Sequence, residues 1–218
     1  MVLKRLFRKL RYATLLLKIS GPKIFLSRLK NQLYSRDSLY RLVKNLDTKT
    51  VPASCGVVYS LRQACDEDFA DILEKAKMES RESAYELIER KWFWESGFHS
   101  CYAAQTGSGE VCFMGWFLSS QDSNVVKDGF KSRLPELKKD ELLLENFYTF
   151  EKYRGKNIMP SVLAQVSQEA KSKGFNRIIA YVRQDNTASI RALEKVGFSK
   201  SGAIPELKFL LRTKREHN

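Results

Sequence analysis

Residues 141–198 constrain this chain most, because strand and helix alternate there with almost no linker between them. The apolar run ELLLENFYTF (141–150) reads as a strand and passes straight into EKYRGKNIMP (151–160). IMPSVLAQVSQEAKSKG then has the spacing of a helix, with Val162, Leu163 and Val166 apolar and Gly174 as its stop. FNRIIAYV reads as a buried strand, and NTASIRALEKVG as a second helix that opens at Asn186 and ends at Gly197. A strand that feeds directly into a helix aims the free N–H groups of the first turn, and the positive end of the helix dipole, at whatever lies before it. Arg154 and Lys156 add positive charge at this junction, which suits a phosphorylated ligand. An ordinary turn before a helix has the same look, since Gly155 is the lone glycine there.

The elements on either side extend this pattern. CGVVYSLRQA (55–64) reads as a strand, and DEDFADILEKAKM and RESAYELIERKWFWES as helices, the first opening with acids suited to a helix N-terminus. FHSCYAAQ and EVCFMGWFLSS flank Gly107-Ser108-Gly109, a strong hairpin signal. A polar loop over 120–140 contains Gly129 and Pro135, and ELKFLLRT reads as a last strand. The expected architecture is α/β (α+β): a central mixed sheet with helices on its faces. Trp92, Phe93, Trp94, Phe98 and Tyr102 read as packing between helix and sheet; the sharper reading has Trp94, His99 or Tyr102 lining an acceptor pocket.

Charge divides the chain into a 1–50 extension and a 51–218 domain. Residues 1–50 hold 13 Lys and Arg against Asp37 and Asp47, a net of +11 out of +13, so the remaining 168 residues carry only +2. Leu3, Leu6, Phe7 and Leu10 fall at i, i+3, i+4 and i+7 with Lys4, Arg5, Arg8 and Lys9 between them. Gly21-Pro22 interrupts the pattern, and KIFLSRLKNQLYSRDSLYRLVKNL continues it, so the whole extension reads as helical. A basic amphipathic arm fits an anionic membrane surface, nucleic acid or an acidic protein; the plainer reading is helices packed on the domain with solvated charges. A mitochondrial presequence also fits the lack of acids before Asp37.

Other classes are disfavoured. No apolar run approaches the roughly 20 residues of a membrane-spanning helix, and YATLLLKIS is interrupted by Lys18 with no cleavage site after it. Cys55, Cys65, Cys101 and Cys112 form no C-x-x-C pair, and His99 and His217 no H-x-x-x-H pair, so neither zinc nor a disulfide framework is expected. A reducing cytoplasm is the simplest home. A Ser-His-Asp site has no histidine to draw on except His99. The arm has no recognisable docking motif for nucleic acid.

Taken together, the Arg154-Gly155-Lys156-Asn157 loop and the Asn186…Ser189…Lys195-x-Gly197-Phe198 helix resemble the GNAT N-acyltransferase superfamily. The resemblance implies a mostly antiparallel sheet splayed at its fourth strand, 141–150, with helices on both faces. It implies acetyl-CoA as co-substrate and no metal. The pyrophosphate would rest on the amides of Arg154, Gly155, Lys156, Asn157, Ile158 and Met159. The pantetheine arm would pair with the strand at Phe147, Tyr148 and Thr149, with Asn186 and Ser189 on the other side of the cofactor. An amide near Thr149 would polarise the thioester carbonyl. Glu145 stands where the family often has a glutamate base; strand alternation puts it on one side with Phe147 and Thr149. The plainer role for Glu145 is a structural carboxylate.

Three departures from the family pattern stand out. Asn157 replaces a loop glycine, yet asparagine tolerates positive φ well. Met159 replaces a small residue, and Pro160 is tolerated in a first helical turn. Leu193 sits where a tyrosine commonly protonates the departing thiolate, which leaves Tyr181, Tyr153, water or no acid at all. The expected activity is direct acetyl transfer to a primary amine of a small molecule, an amino sugar or amino acid, in surface-polysaccharide assembly. Alternatives are a longer acyl-CoA or acyl carrier protein as donor, or a non-catalytic CoA-binding protein. The expected setting is cytoplasmic, with peripheral attachment at the inner membrane surface through residues 1–45. The sequence leaves the acceptor and the oligomeric state open.

Overall fold

The computed structural model describes residues 2–48, 54–127, 133–210 and 212–216, apart from the side chains of residues 2–10 and 127. Gly129, His217 and the side chains of Leu3, Lys4, Arg5, Leu6, Phe7, Arg8, Lys9 and Leu10 lie outside the described residues. The elements are α1 (Val2–Ser20), α2 (Pro22–Leu33), β1 (Tyr34–Asn45), β2 (Tyr59–Gln63), α3 (Asp66–Ala70), α4 (Ile72–Lys77), α5 (Arg81–Glu95), β3 (Cys101–Thr106), β4 (Val111–Leu118), α6 (Ser123–Lys127), β5 (Glu141–Thr149), α7 (Ile158–Ser172), β6 (Arg177–Arg183), α8 (Thr187–Glu194), β7 (Ser199–Phe209) and β8 (Arg212–Arg215). They form two compact units: Met1–Ser35 with Cys65–Gly97 and Lys208–Arg212, and Arg36–Ala64 with Phe98–Leu207 and Thr213–Asn218.

The first unit is helical. Gly21, at φ 82°, breaks α1 from α2, with Pro22 opening the second helix. Helix α1 packs on α5 and α2. Ser80 caps α5 by accepting from the Ser83 amide. Phe69 stacks on Trp94 at 4.5 Å, and the Trp94 indole donates to Asp66 at 2.8 Å. Both Phe93 and Trp94 are buried, so these aromatics pack the helical unit, and Trp94 is bonded within it.

The second unit is built on the sheet, whose eight strands run in the order β2-β3-β4-β5-β6-β1-β7-β8. Strands β2 to β5 pair antiparallel in sequence, β5 and β6 pair parallel, and β6 pairs antiparallel with β1. The fold is a mixed α/β architecture. The helical reading of residues 34–45 is overturned, because they form β1, from Leu39↔Arg183 to Asn45↔Arg177 against β6 and with β7 on its other side. Leu39, Leu42, Val43 and Leu46 satisfy the helical spacing i, i+3, i+4, i+7, yet the positions buried toward the strand's end are Leu42, Lys44 and Leu46, two apart. Partners on both sides decide between the two periods. The last-strand reading of ELKFLLRT is also corrected: β7 ends at Phe209 and β8 starts at Arg212, with Leu210 turning at φ 46°.

Strand β1 carries an unusual core residue. Lys44 is fully buried, and its ammonium donates to the Val196 carbonyl just beyond the C-terminal end of α8. The carbonyl end of a helix favours a cation, so Lys44 ties β1 to α8. Burial pushes its pKa below the ordinary value of 10.5. A base with a depressed folded pKa costs stability while it stays charged in the fold, and the cost is relieved as pH rises from the folded pKa to 10.5, where the unfolded chain binds more protons. Lys44→Met is expected to stabilise the protein by about 1 kcal/mol at pH 7. The gain should shrink by pH 10, which urea midpoints at the two pH values measure. Removing residues 1–45 deletes a strand with neighbours on both sides. The truncated chain is expected to lose its cooperative thermal transition in calorimetry.

Candidate active site

The junction between β5 and α7 turns a row of backbone amides outward, an arrangement that suits an anion. A short 3-10 turn over Glu151–Tyr153 leads to Gly155 at φ 75° and Asn157 at φ 58°, ψ 23°. Asparagine therefore makes the left-handed turn that a glycine makes elsewhere in this kind of loop. Among the described residues, the amides of Gly155, Lys156, Asn157, Ile158 and Met159 have no backbone partner, and the space before Gly155 is open. They sit at the positive end of a 15-residue helix. The Lys156 carbonyl is turned the other way, accepting from the Gly56 amide at 3.1 Å and the Cys55 thiol at 3.5 Å. Tyr59 and Ser161 hydroxyls meet at 2.8 Å, bracing α7 on β2. From α8 side, Lys195 donates to the Asn157 side chain at 3.0 Å and holds the turn.

Next to this loop the sheet opens. Strand β5 pairs with β6 from Glu141↔Arg177 only to Leu144↔Ala180, although both strands run on. The edge of β5 over 145–149 thus faces away from any β6 partner, which suits an amide-rich chain adding alongside it. On its other edge β5 carries a bulge, with Trp116 opposite Glu145 and Met114 opposite Tyr148. Asn146, at φ 55°, and Phe147 together face Gly115. A Cβ on Gly115 would come within 3.1 Å of the Phe113 ring and 3.3 Å of the Phe147 Cβ, so any larger residue opposite the bulge would press on both phenylalanines. The bulge corrects the simple alternation reading. Thr149 lies opposite Phe113 and Glu145 opposite Trp116, three residues apart, so Glu145 and Thr149 project from opposite faces.

On its own face Glu145 is buried and held by two guanidiniums. Arg133 donates to one carboxylate oxygen at 3.1 Å, and Arg215 of β8 lies 3.7 Å from the other. Arg215 also donates to the buried Glu206 at 2.6 Å and to the Arg133 carbonyl at 3.4 Å. Strand β8 is the far edge of the sheet, so the β7–β8 hairpin must curl back for Arg215 to reach β5. Tyr181, on β6 just beyond the end of the parallel pairing, is bonded to Arg41, its partner on β1. Burial pushes the Tyr181 phenol above its ordinary pKa of 10, with Arg41 and Arg215 opposing. It stays a proton donor at neutral pH.

The other expected residues fall as follows. Asn186 caps α8 by accepting from the Ser189 amide at 3.2 Å. Leu193 is fully buried and has no titratable proton to give. Tyr153 donates to Glu110 at 2.7 Å and is committed there. Arg154 donates to the Thr149 carbonyl at 3.1 Å and stacks over the Tyr148 ring, which ties the loop to the strand end. Tyr102 donates to Glu169 of α7 at 2.8 Å, on the face away from Glu145. Among the described residues no group of three His, Cys, Asp or Glu could hold a metal ion. Sequence reasoning missed Arg41, Arg133, Arg215, Glu206 and Gly115. Arg133 and Arg215 lie in polar stretches without periodicity, 82 positions apart, and only the fold brings them together.

If the loop holds coenzyme A, Asn157→Gly is expected to keep that affinity within a few-fold, because glycine enters the left-handed region freely. Asn157→Val strains the same turn by about 1–2 kcal/mol, so titration calorimetry should read roughly tenfold weaker binding.

Comparison with known proteins agrees with this geometry. Residues 62–198 match the family model described as Acetyltransferase (GNAT) family. The uncharacterized N-acetyltransferase YycN of Bacillus subtilis (strain 168) is 26% identical over 89 residues, covering 41% of this chain and 57% of that protein. Among solved structures, a glucosamine N-acetyltransferase region in a fungal multi-domain β-N-acetylglucosaminidase has a TM-score of 0.57 at 12% identity, over 85% of this chain and 22% of that one. A Drosophila protein gives 0.53 at 14% identity, over 86% and 58%. A GNAT-family acetyltransferase from Colwellia psychrerythraea gives 0.50 at 16% identity, over 81% and 57%. The chain thus spans less than two thirds of each of these relatives, and the structural likenesses speak to fold alone. The family match covers most of the chain, including β5, the loop and α8: this protein belongs to the GNAT acetyltransferase family.

Proposed function

We propose that this chain transfers an acetyl group from acetyl-CoA directly to the primary amine of a small anionic molecule. The observation that carries the reading is the row of unpartnered amides over Gly155–Met159, set at the α7 N-terminus beside the open edge of β5. These amides would hold the pyrophosphate of coenzyme A, and the β5 edge at Phe147–Thr149 its pantetheine arm. Asn186 and Ser189 flank the other side. Bound acetyl-CoA supplies an activated thioester, so the protein needs to orient the amine and move protons.

Glu145 takes a proton from the acceptor ammonium, with Arg133 and Arg215 fixing the carboxylate. Tyr181 holds a proton at its hydroxyl near the opening between β5 and β6 and takes the acid role that Leu193 cannot. Arg133 is partly exposed, and among the described residues the side-chain partners of Arg41 are the Ser201 and Tyr181 hydroxyls. Guanidiniums in this setting suit a carboxylate or phosphate on the acceptor. That supports an amino acid or an amino-sugar nucleotide over a neutral amine, and leaves a surface-polysaccharide role open to the acceptor's identity. Donor choice is settled by comparing acetyl-CoA with longer acyl-CoAs and acyl carrier protein in one turnover assay.

Glu145→Gln is expected to lower kcat by about 10²–10³ while coenzyme A affinity stays within a few-fold. Stopped-assay turnover with an anionic amine panel, alongside calorimetry, reads both. Unchanged kcat across pH removes Glu145 as the base, and absence of coenzyme A binding removes the whole reading.

A further inference from the structure

Helix α2 is left without a buried face. Five of its twelve residues are large and apolar, yet none is fully buried: Ile24, Phe25 and Leu29 are half-buried, and Leu26 and Leu33 are exposed. Lys23, Leu26, Lys30 and Leu33 follow one another at helical spacing and form an outer stripe that alternates cation and leucine. Beside its C-terminal end lies the β7–β8 turn, where the Leu210 amide donates to the Leu33 carbonyl at 3.0 Å. Leu26 is 59% exposed, Tyr34 65%, Phe209 55% and Leu210 62%. Five large apolar side chains, counting Leu33, therefore stand in water on one unit.

Two further observations say what covers them. Leu210 holds φ 46°, a region that bulky residues rarely adopt, so the turn keeps a leucine at its tip where glycine would relax it. The stretches 22–36 and 207–215 contain no acidic residue, and Lys23, Lys30 and Arg212 are exposed on these same two segments. A second copy of this surface would meet like charge. Nucleic acid would leave the leucines and Phe209 in water. Apolar side chains that insert, ringed by cations that stay at the surface, match a bilayer with anionic headgroups.

We propose that α2 and the Phe209–Leu210 turn form a docking surface for an anionic lipid bilayer. The surface is smaller than the whole 1–45 arm, because residues 34–45 belong to the sheet and α1 packs on α5. It is independent of the acetyl-transfer reading, which stands or falls on coenzyme A binding.

The test is sedimentation of the full chain with vesicles of phosphatidylcholine alone and of phosphatidylcholine mixed with phosphatidylglycerol. Binding is expected on the mixed vesicles, about tenfold or more tighter than on phosphatidylcholine, and weaker as salt rises. Leu26→Ser, Phe209→Ser and Leu210→Gly combined should reduce that binding at least tenfold. Leu210→Gly alone should also weaken binding while its urea midpoint stays equal or rises, since it relieves the turn. Equal binding to both vesicles, no binding to either, or full binding by the triple variant overturns the proposal. Retention on a polyglutamate resin without vesicle binding also overturns it and assigns the surface to an acidic protein.

Discussion

Everything at the site depends on where the parallel pairing of β5 and β6 stops. Had the ladder continued past Leu144↔Ala180, the β5 edge would spend its amides on β6 and no opening would lead to the loop at Gly155. The strands can part because each keeps a partner on its far side. Strand β5 stays on β4 through a bulge that holds Asn146 in the left-handed region with Gly115 opposite. Strand β6 stays on β1, where Tyr181, Val182 and Arg183 pair with Arg41, Tyr40 and Leu39. The N-terminal strand is thus part of the site's frame, holding the side of the opening that carries Tyr181.

The local parts of this arrangement were legible in the sequence. The strand–turn–helix junction at Gly155 and Asn157, the caps at Asn186 and Gly197, and the hairpin at Gly107-Ser108-Gly109 are written in neighbouring residues whose backbone needs are specific. What the sequence hid is non-local. Residues 34–45 fit two periods at once, and only neighbours on both sides choose the strand. The β7–β8 turn carries Leu210 where a turn usually carries glycine or asparagine, so nothing marked it. The bulge at Asn146 reverses side-chain direction with no cue but a distant glycine, and it moved Glu145 to the face opposite Thr149. The arginines on Glu145 come from a loop and from the last strand, and no spacing rule joins them.

The excess of positive charge near the N-terminus also resolves into separate roles. Lys44 is spent in the core against the Val196 carbonyl, and Arg41 stands beside Tyr181. Arg28 lies over the Tyr85 ring within the helical unit. Lys23 and Lys30 remain outward on α2. A net charge read from sequence is a sum over these roles, and structure is needed to divide it.

The central claim, that the junction of β5 and α7 binds coenzyme A through its backbone, is tested most directly by amide hydrogen exchange with and without acetyl-CoA. The account predicts slowed exchange at Phe147–Thr149 and Gly155–Met159, with little change in β2 or β8. Protection confined to other segments at saturating acetyl-CoA, or none anywhere, would contradict it.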